Sequence, residues 1–334
     1  MDELQTTAKE NNIENEGEEE MDVFSAVCLA ILFFLFHLQY SERFKNGITG
    51  LISFISKSRI PSKLKWLMLS SVAGSLPIKN RTIFASPLLH PLSANKSDKA
   101  AITFLTSHFY YFISPLSPAL ITFLLLSGLS FSQVLPYLII PVIPFLLICY
   151  KLMPDEDIKG MEATASVWDY LFAFALILLL GEGFYTKNII PLIIALIVFI
   201  IGKDYKFVIN KSLITSLSLI TIVLLAKPII SSFIKSLSIS INSLLLALLI
   251  GLATGSSKLS CTLLYGIPMS FPEMIMTYPL WWMGYMLSPL HLCPMYSALV
   301  FDADYKALYK KSLIAVLGTV ITSEIIYSLI FLWR

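Results

Sequence analysis

Leu171-Phe-Ala-Phe-Ala-Leu-Ile-Leu-Leu-Leu180 and, past the turn Gly181-Glu182-Gly183, Ile189-Ile-Pro-Leu-Ile-Ile-Ala-Leu-Ile-Val-Phe-Ile-Ile201 are two apolar runs at close spacing, and a third covers 212–226. A water-soluble core of this size does not need such runs so close together, whereas a bilayer needs about 20 largely apolar residues per helical crossing. Composition agrees: 56% of the 334 residues are hydrophobic and 14% charged, against about 45–50% and about 25% in soluble domains. These figures exclude an ordinary soluble enzyme. They predict an all-α polytopic membrane protein, with about nine to eleven membrane segments in the chain beyond its polar tail.

Working outward, charge separates that tail from the rest. Nine of the 22 acids fall between Asp2 and Asp22, where Lys9 is the only base. Residues 1–22 cannot bury enough apolar surface to offset chain entropy, so they are expected to be a disordered acidic tail. Residues 23–334 are expected to form one transmembrane domain, opened by a retained helix from Val23 to Tyr40 and not by a cleaved leader, which would carry a basic front. Arg43, Lys45, Lys57, Arg59, Lys63 and Lys65 follow with Glu42 as the only opposing charge. The positive-inside rule places this 41–65 loop, and the 203–211 loop, in the cytoplasm of a plasma-membrane protein, with the acidic tail outside. Gly47 to Ile55 is too short to cross and reads as interfacial.

Two regions break the regular pattern. The early one, from Leu67 to Ser93, splits into half-length apolar pieces around Gly74-Ser-Leu-Pro-Ile-Lys-Asn-Arg-Thr-Ile-Phe-Ala-Ser-Pro87; the late one, from Ser238 to Val300, is split by Gly251-Leu-Ala-Thr-Gly-Ser-Ser-Lys258 and by Pro268, Pro272, Pro279, Pro289 and Pro294. Short interrupted segments predict discontinuous or re-entrant helices, tolerated at membrane depth only inside protein or beside a wet cavity. Their occurrence early and late is compatible with inverted repeats and points to a secondary transporter's binding site. Spans at 100–126, 133–151, 166–182, 188–202 and 212–227 read as regular, as does Ser312 to Trp333.

Gly74 to Pro87, the His108 segment before Pro115-Leu-Ser-Pro118, Gly251 to Gly255 and above all Met286-Leu-Ser-Pro-Leu-His-Leu-Cys293 resemble an uncharacterised family of archaeal and bacterial integral membrane proteins. That family is grouped with the ion-transporter superfamily, which includes gluconate, citrate, dicarboxylate, lactate and arsenite carriers. The likeness covers residues 64–334 and implies a carrier built on broken helices. Two departures stand out: a Pro-Gly-Gly turn of the family is Lys79-Asn80-Arg81 here, and its Arg-His pair with a nearby Glu appears as Ser107-His108 and Tyr111.

Candidate solute-binding residues follow from the breaks: Gly74, Ser75 and Ser86 early, and Thr254, Gly255, Ser256, Ser257, Ser288 and His291 late. Thr254 to Ser257 at a helix break would offer N–H groups, hydroxyls and a positive helix end to an oxyanion; small-residue helix packing is the alternative. His291, His108 and Glu324 combine an apolar setting with a titratable group and are the candidates for holding a coupling ion. Trp281-Trp282 read as interfacial anchors. Cys28, Cys149, Cys261 and Cys293 stand singly, with no close His partner except His291 beside Cys293, and read as packing residues. Without a Walker sequence, an HExxH, a GxSxG or closely spaced metal ligands, no cofactor, metal or nucleic-acid partner is expected. The expected function is secondary transport of a small organic or inorganic anion, driven by a proton or sodium gradient, with a homodimer as one possible assembly. The alternatives are an intramembrane enzyme using His291, Glu324 and Asp302 on a lipid-linked substrate, or a non-transporting membrane subunit.

Overall fold

A computed structural model describes residues 30, 37–38, 41–75, 95–114, 117–153, 165–186, 188–202 and 242–332. The acidic tail, most of the first apolar run, the later part of the early interruption with Ser86, and the 203–227 loop and span lie outside the described residues. Every regular element among the described residues is helical. In chain order they are α1 (Glu42–Lys57), α2 (Ser62–Ser75), α3 (Lys96–Thr106), α4 (Tyr110–Ile113), α5 (Pro118–Ser127), α6 (Phe131–Leu152) and α7 (Val167–Thr186). Then come α8 (Ile190–Ile201), α9 (Ser243–Thr254), α10 (Ser257–Tyr265), α11 (Phe271–Leu287), α12 (Leu292–Phe301) and α13 (Tyr305–Leu332).

Among the described residues three stretches are long and apolar enough to cross a membrane: Lys96–Ser127 taken as one, α6 and α13. On α13 the side chains of Ile314, Ile321, Ile325 and Leu329 are exposed, and so are Ile139, Ile143 and Leu147 on α6. Both sets recur at spacings of four or seven, so each helix carries a stripe of exposed apolar side chains along its outer face. Pro136, Pro141 and Pro144 lie inside α6 without ending it. The segment read as interfacial lies on α1, whose Phe44, Ile48, Ile52 and Ile55 form one buried stripe. It packs on α7, close enough that a Cβ at Gly47 would meet Ala173 Cβ at 2.8 Å.

The interruptions differ from those expected. Gly74 and Ser75 are helical, the last residues of α2, so the early break starts after them. Gly251 to Thr254 are also helical, which narrows that break to Gly255 and Ser256. The stretch 100–126, expected to be regular, is divided into α3, α4 and α5. Local chemistry accounts for each stop. Ser114 is extended (φ −86°, ψ 119°) because Pro115 follows it, and Ser288 (φ −62°, ψ 129°) likewise precedes Pro289. Ser117 then caps α5 by accepting from the Leu120 N–H, with Pro118 at the first helical position. Gly255 ends α9 at φ +56°, a conformation that costs glycine nothing.

Candidate functional site

The breaks meet. Ser288, just past α11, donates its Oγ proton to the Leu252 carbonyl in the last turn of α9 at 2.6 Å. A Cβ added to Gly255 would lie 2.6 Å from the backbone carbonyl of Leu290, so glycine is what lets the α9–α10 break sit against the α11–α12 break. Gly251 performs the same service deeper between α9 and α11, where a Cβ would lie 2.5 Å from Trp281 O. Helices α4 and α5 reach this junction from the other side. Tyr278 donates to the Tyr111 carbonyl (2.7 Å), Tyr111 to the Tyr285 hydroxyl (3.4 Å), and the Cys261 thiol to Ala119 O (3.2 Å).

At its centre stand two imidazoles. His108 and His291 are 2% and 3% exposed, and their rings meet edge to face with centroids 4.9 Å apart. His291 stacks on Tyr285 at 4.1 Å, and Phe104 closes one side at 5.0 Å from His108 and 5.5 Å from His291. His108 Nδ1 lies 2.7 Å from Phe104 O and 2.9 Å from Ser107 Oγ, while Ser107 Oγ–H donates to the same carbonyl at 2.8 Å. A carbonyl accepts only, so Nδ1 carries the proton and the lone pair of neutral His108 is on Nε2. Cys293, half-buried on the first turn of α12, brings its sulfur into the same cluster: the ligand atoms of His108, His291 and Cys293 all lie within 4.8 Å of one another. The fold thus adds His108, 183 residues away in the chain, to the neighbouring His291 and Cys293 to form a group of metal-ligating atoms, which corrects the expectation that such ligands are not clustered.

Other predicted residues take structural roles. Thr254 Oγ1 donates to Ile250 O (3.0 Å) within its own helix, and Ser256 Oγ caps α10 at Leu259 N (3.5 Å). The carbonyl of Ser257 accepts from Ser260 Oγ at 3.3 Å. Trp281 and Trp282 are fully buried and are not interfacial anchors; Trp281 Nε1–H donates to Ser260 Oγ at 2.6 Å, and Trp282 packs on Phe112 and Phe145. Glu324 is apart from the imidazoles. Tyr309 marks their level on α13 by donating to Leu287 O (2.6 Å), and Tyr309 to Glu324 is about 22 Å of helix. Asp302 is also remote, about 16 Å from His291 at the opposite end of α12. It is exposed and hydrogen-bonded to Lys96 at 2.6 Å, and that bond, with the ammonium charge, holds its carboxyl below the usual range. The acid–base set His291, Glu324 and Asp302 is therefore not brought together.

The sequence reading missed the aromatic lining. Tyr278, Trp281 and Tyr285 are spaced i, i+3, i+7, which puts them on one face of α11, and this spacing was the available signal. Neither a protein-family model nor a curated protein matches the chain. The resemblance to the ion-transporter superfamily rests on the motifs quoted above.

Proposed function

We propose that the chain is a polytopic membrane carrier that moves a small organic or inorganic anion by secondary transport, holding the solute where the interrupted helices meet. The observation that carries this reading is the convergence of three interruptions, at 107–117, 255–256 and 288–291, around buried imidazole and tyrosine side chains. Non-helical backbone inside an apolar bundle is costly unless protein or a solute site satisfies it. Anionic character for the solute is supported by the N-termini of α5, α10 and α12, which all begin at these breaks and carry partial positive charge. The apolar outer faces of α6 and α13 support a lipid surround. The motif resemblance points the same way.

A proton or sodium gradient drives the cycle in this reading. Glu324 is the group we assign to a proton: its Oε1 is buried on α13 with no hydrogen-bond partner among the described residues, and protonation would remove a charge that is expensive in an apolar span. Purified full-length protein in liposomes tests the reading. Labelled gluconate, citrate, lactate and arsenite are offered under an imposed pH gradient and, separately, a sodium gradient. Saturable accumulation of at least one anion under one gradient is expected, with Glu324→Gln abolishing the pH-driven component. Absence of accumulation for every anion under both gradients would refute it.

A further inference from the structure

We infer that His108, His291 and Cys293 form a binding site for a d10 cation of borderline to soft character, Zn2+ or Cu+. The donor set is two imidazole nitrogens and one thiol sulfur, all within 4.8 Å of one another. Metal–nitrogen and metal–sulfur bonds of about 2.0–2.3 Å place ligand atoms about 3.3–3.7 Å apart in a tetrahedral site. Closing the set therefore takes movements of about 1 Å or less at each donor, within reach of side-chain rotation. Imidazole with thiolate selects zinc or copper over the hard cations magnesium and calcium.

The surroundings match what such a site needs. His108 donates its Nδ1–H to the Phe104 carbonyl, the second bond that fixes tautomer and ring orientation in metal-bound histidines and leaves Nε2 as the ligand atom. Stacking on Tyr285 fixes the His291 ring. Three protein donors leave a fourth position for water or a solute atom. Two of them come from the N-cap and the first turn of α12 and one from the α3–α4 turn, so a bound ion ties the first interrupted stretch to the last. Where α3 and α12 separate during a transport cycle, metal binding holds the state in which they touch; this consequence alone rests on the carrier reading.

Titrating the purified full-length protein in detergent with Cd2+, which reports thiolate ligation by an ultraviolet charge-transfer band, tests the site directly. One equivalent is expected to develop the band, and Zn2+ to displace it. A Cys28→Ser, Cys149→Ser, Cys261→Ser triple variant should keep the signal and Cys293→Ser should lose it. His108→Ala and His291→Ala are expected to weaken Cd2+ binding by at least ~10-fold, the loss typical of even an outer-shell partner. His291→Cys, which replaces a borderline imidazole donor with a soft thiolate, should bind, and so separates ligand loss from misfolding. No band in the unaltered protein, a band that survives Cys293→Ser, or unchanged affinity in both alanine variants would overturn the assignment. In liposomes, Zn2+ should inhibit uptake by the unaltered protein and spare Cys293→Ser; equal inhibition of both would overturn the clamp. Failure of metal-free protein to accumulate any anion would count against the carrier reading and leave the Cd2+ measurement standing.

Discussion

Gly255 gives the sharpest quantitative test of the junction, because a second glycine serves as its control. Gly255 and Gly128 both adopt positive φ, +56° and +73°, at the C-terminal ends of α9 and α5. They differ in surroundings: a Cβ at Gly128 would meet nothing within 4 Å, whereas one at Gly255 would stand 2.6 Å from the carbonyl carbon and oxygen of Leu290. Alanine at either position incurs the left-handed backbone cost, about 1–2 kcal/mol. Only Gly255→Ala adds a clash with backbone that cannot rotate away, and overpacking of that kind costs about 1–3 kcal/mol. The expected losses are therefore about 1–2 kcal/mol for Gly128→Ala and about 2–5 kcal/mol for Gly255→Ala. Equilibrium denaturation of both variants in mixed micelles, followed by fluorescence of the buried Trp66, Trp281 and Trp282, measures the difference. Equal losses, within the ~0.5 kcal/mol to which independent effects add, would mean that Leu290 does not abut Gly255 and that the two breaks do not meet.

Two further predictions concern a hydrogen bond and the topology. Ser260→Ala leaves the buried Trp281 N–H without its acceptor and should destabilise by about 1–3 kcal/mol, more than Trp281→Phe loses through that bond alone, because an unsatisfied buried donor costs more than a pair removed; equal hydrogen-bond effects from the two ends would contradict the assignment. Cysteine introduced at exposed Lys57 and at Thr6, in a Cys28→Ser, Cys293→Ser background, should show opposite accessibility to an impermeant reagent in intact cells, Thr6 labelling from outside; labelling of both from outside would reverse the charge argument.

How much of this arrangement was legible in the sequence depends on whether a break carries its own punctuation. Pro289 enforces an extended Ser288, and Gly255 supplies a left-handed stop, so the late interruptions could be located from residue types alone. The turn at Ser107-His108-Phe109 holds neither glycine nor proline, and the flanking run is apolar enough to read as one span, so that break went unseen. Proline was not sufficient either: α6 carries three and stays one helix, since neighbouring groups can satisfy the carbonyls they free. Adjacent tryptophans suggested an interface, yet consecutive helical residues point about 100° apart. Trp281 turns toward Ser260 and Trp282 toward Phe112 and Phe145, which buries each in a different neighbour. Of the His108–His291–Cys293 cluster only the neighbouring pair His291 and Cys293 was legible, because His108 joins it through tertiary structure and not by spacing.

Accounting for the backbone groups freed at the breaks separates structural polar groups from those available for chemistry. Helices leave their last carbonyls without partners. Leu252 O receives Ser288, Leu287 O receives Tyr309, and Phe104 O receives Ser107 together with His108 Nδ1. Tyr111 O likewise receives Tyr278, and Ser260, which serves Trp281, bonds back to Ser256 O at 2.7 Å. Each of these side chains apart from His108, whose ring also enters the imidazole pair, holds a break in place, so substituting it should act through stability. The His108 and His291 rings, the Tyr111–Tyr285 hydroxyl pair and the Cys293 sulfur face one another across the junction. A solute or a metal ion at the junction would meet these five residues, and variants that alter ligand binding while sparing stability are expected among them and not among the hydroxyls that the Thr-Gly-Ser-Ser run advertises.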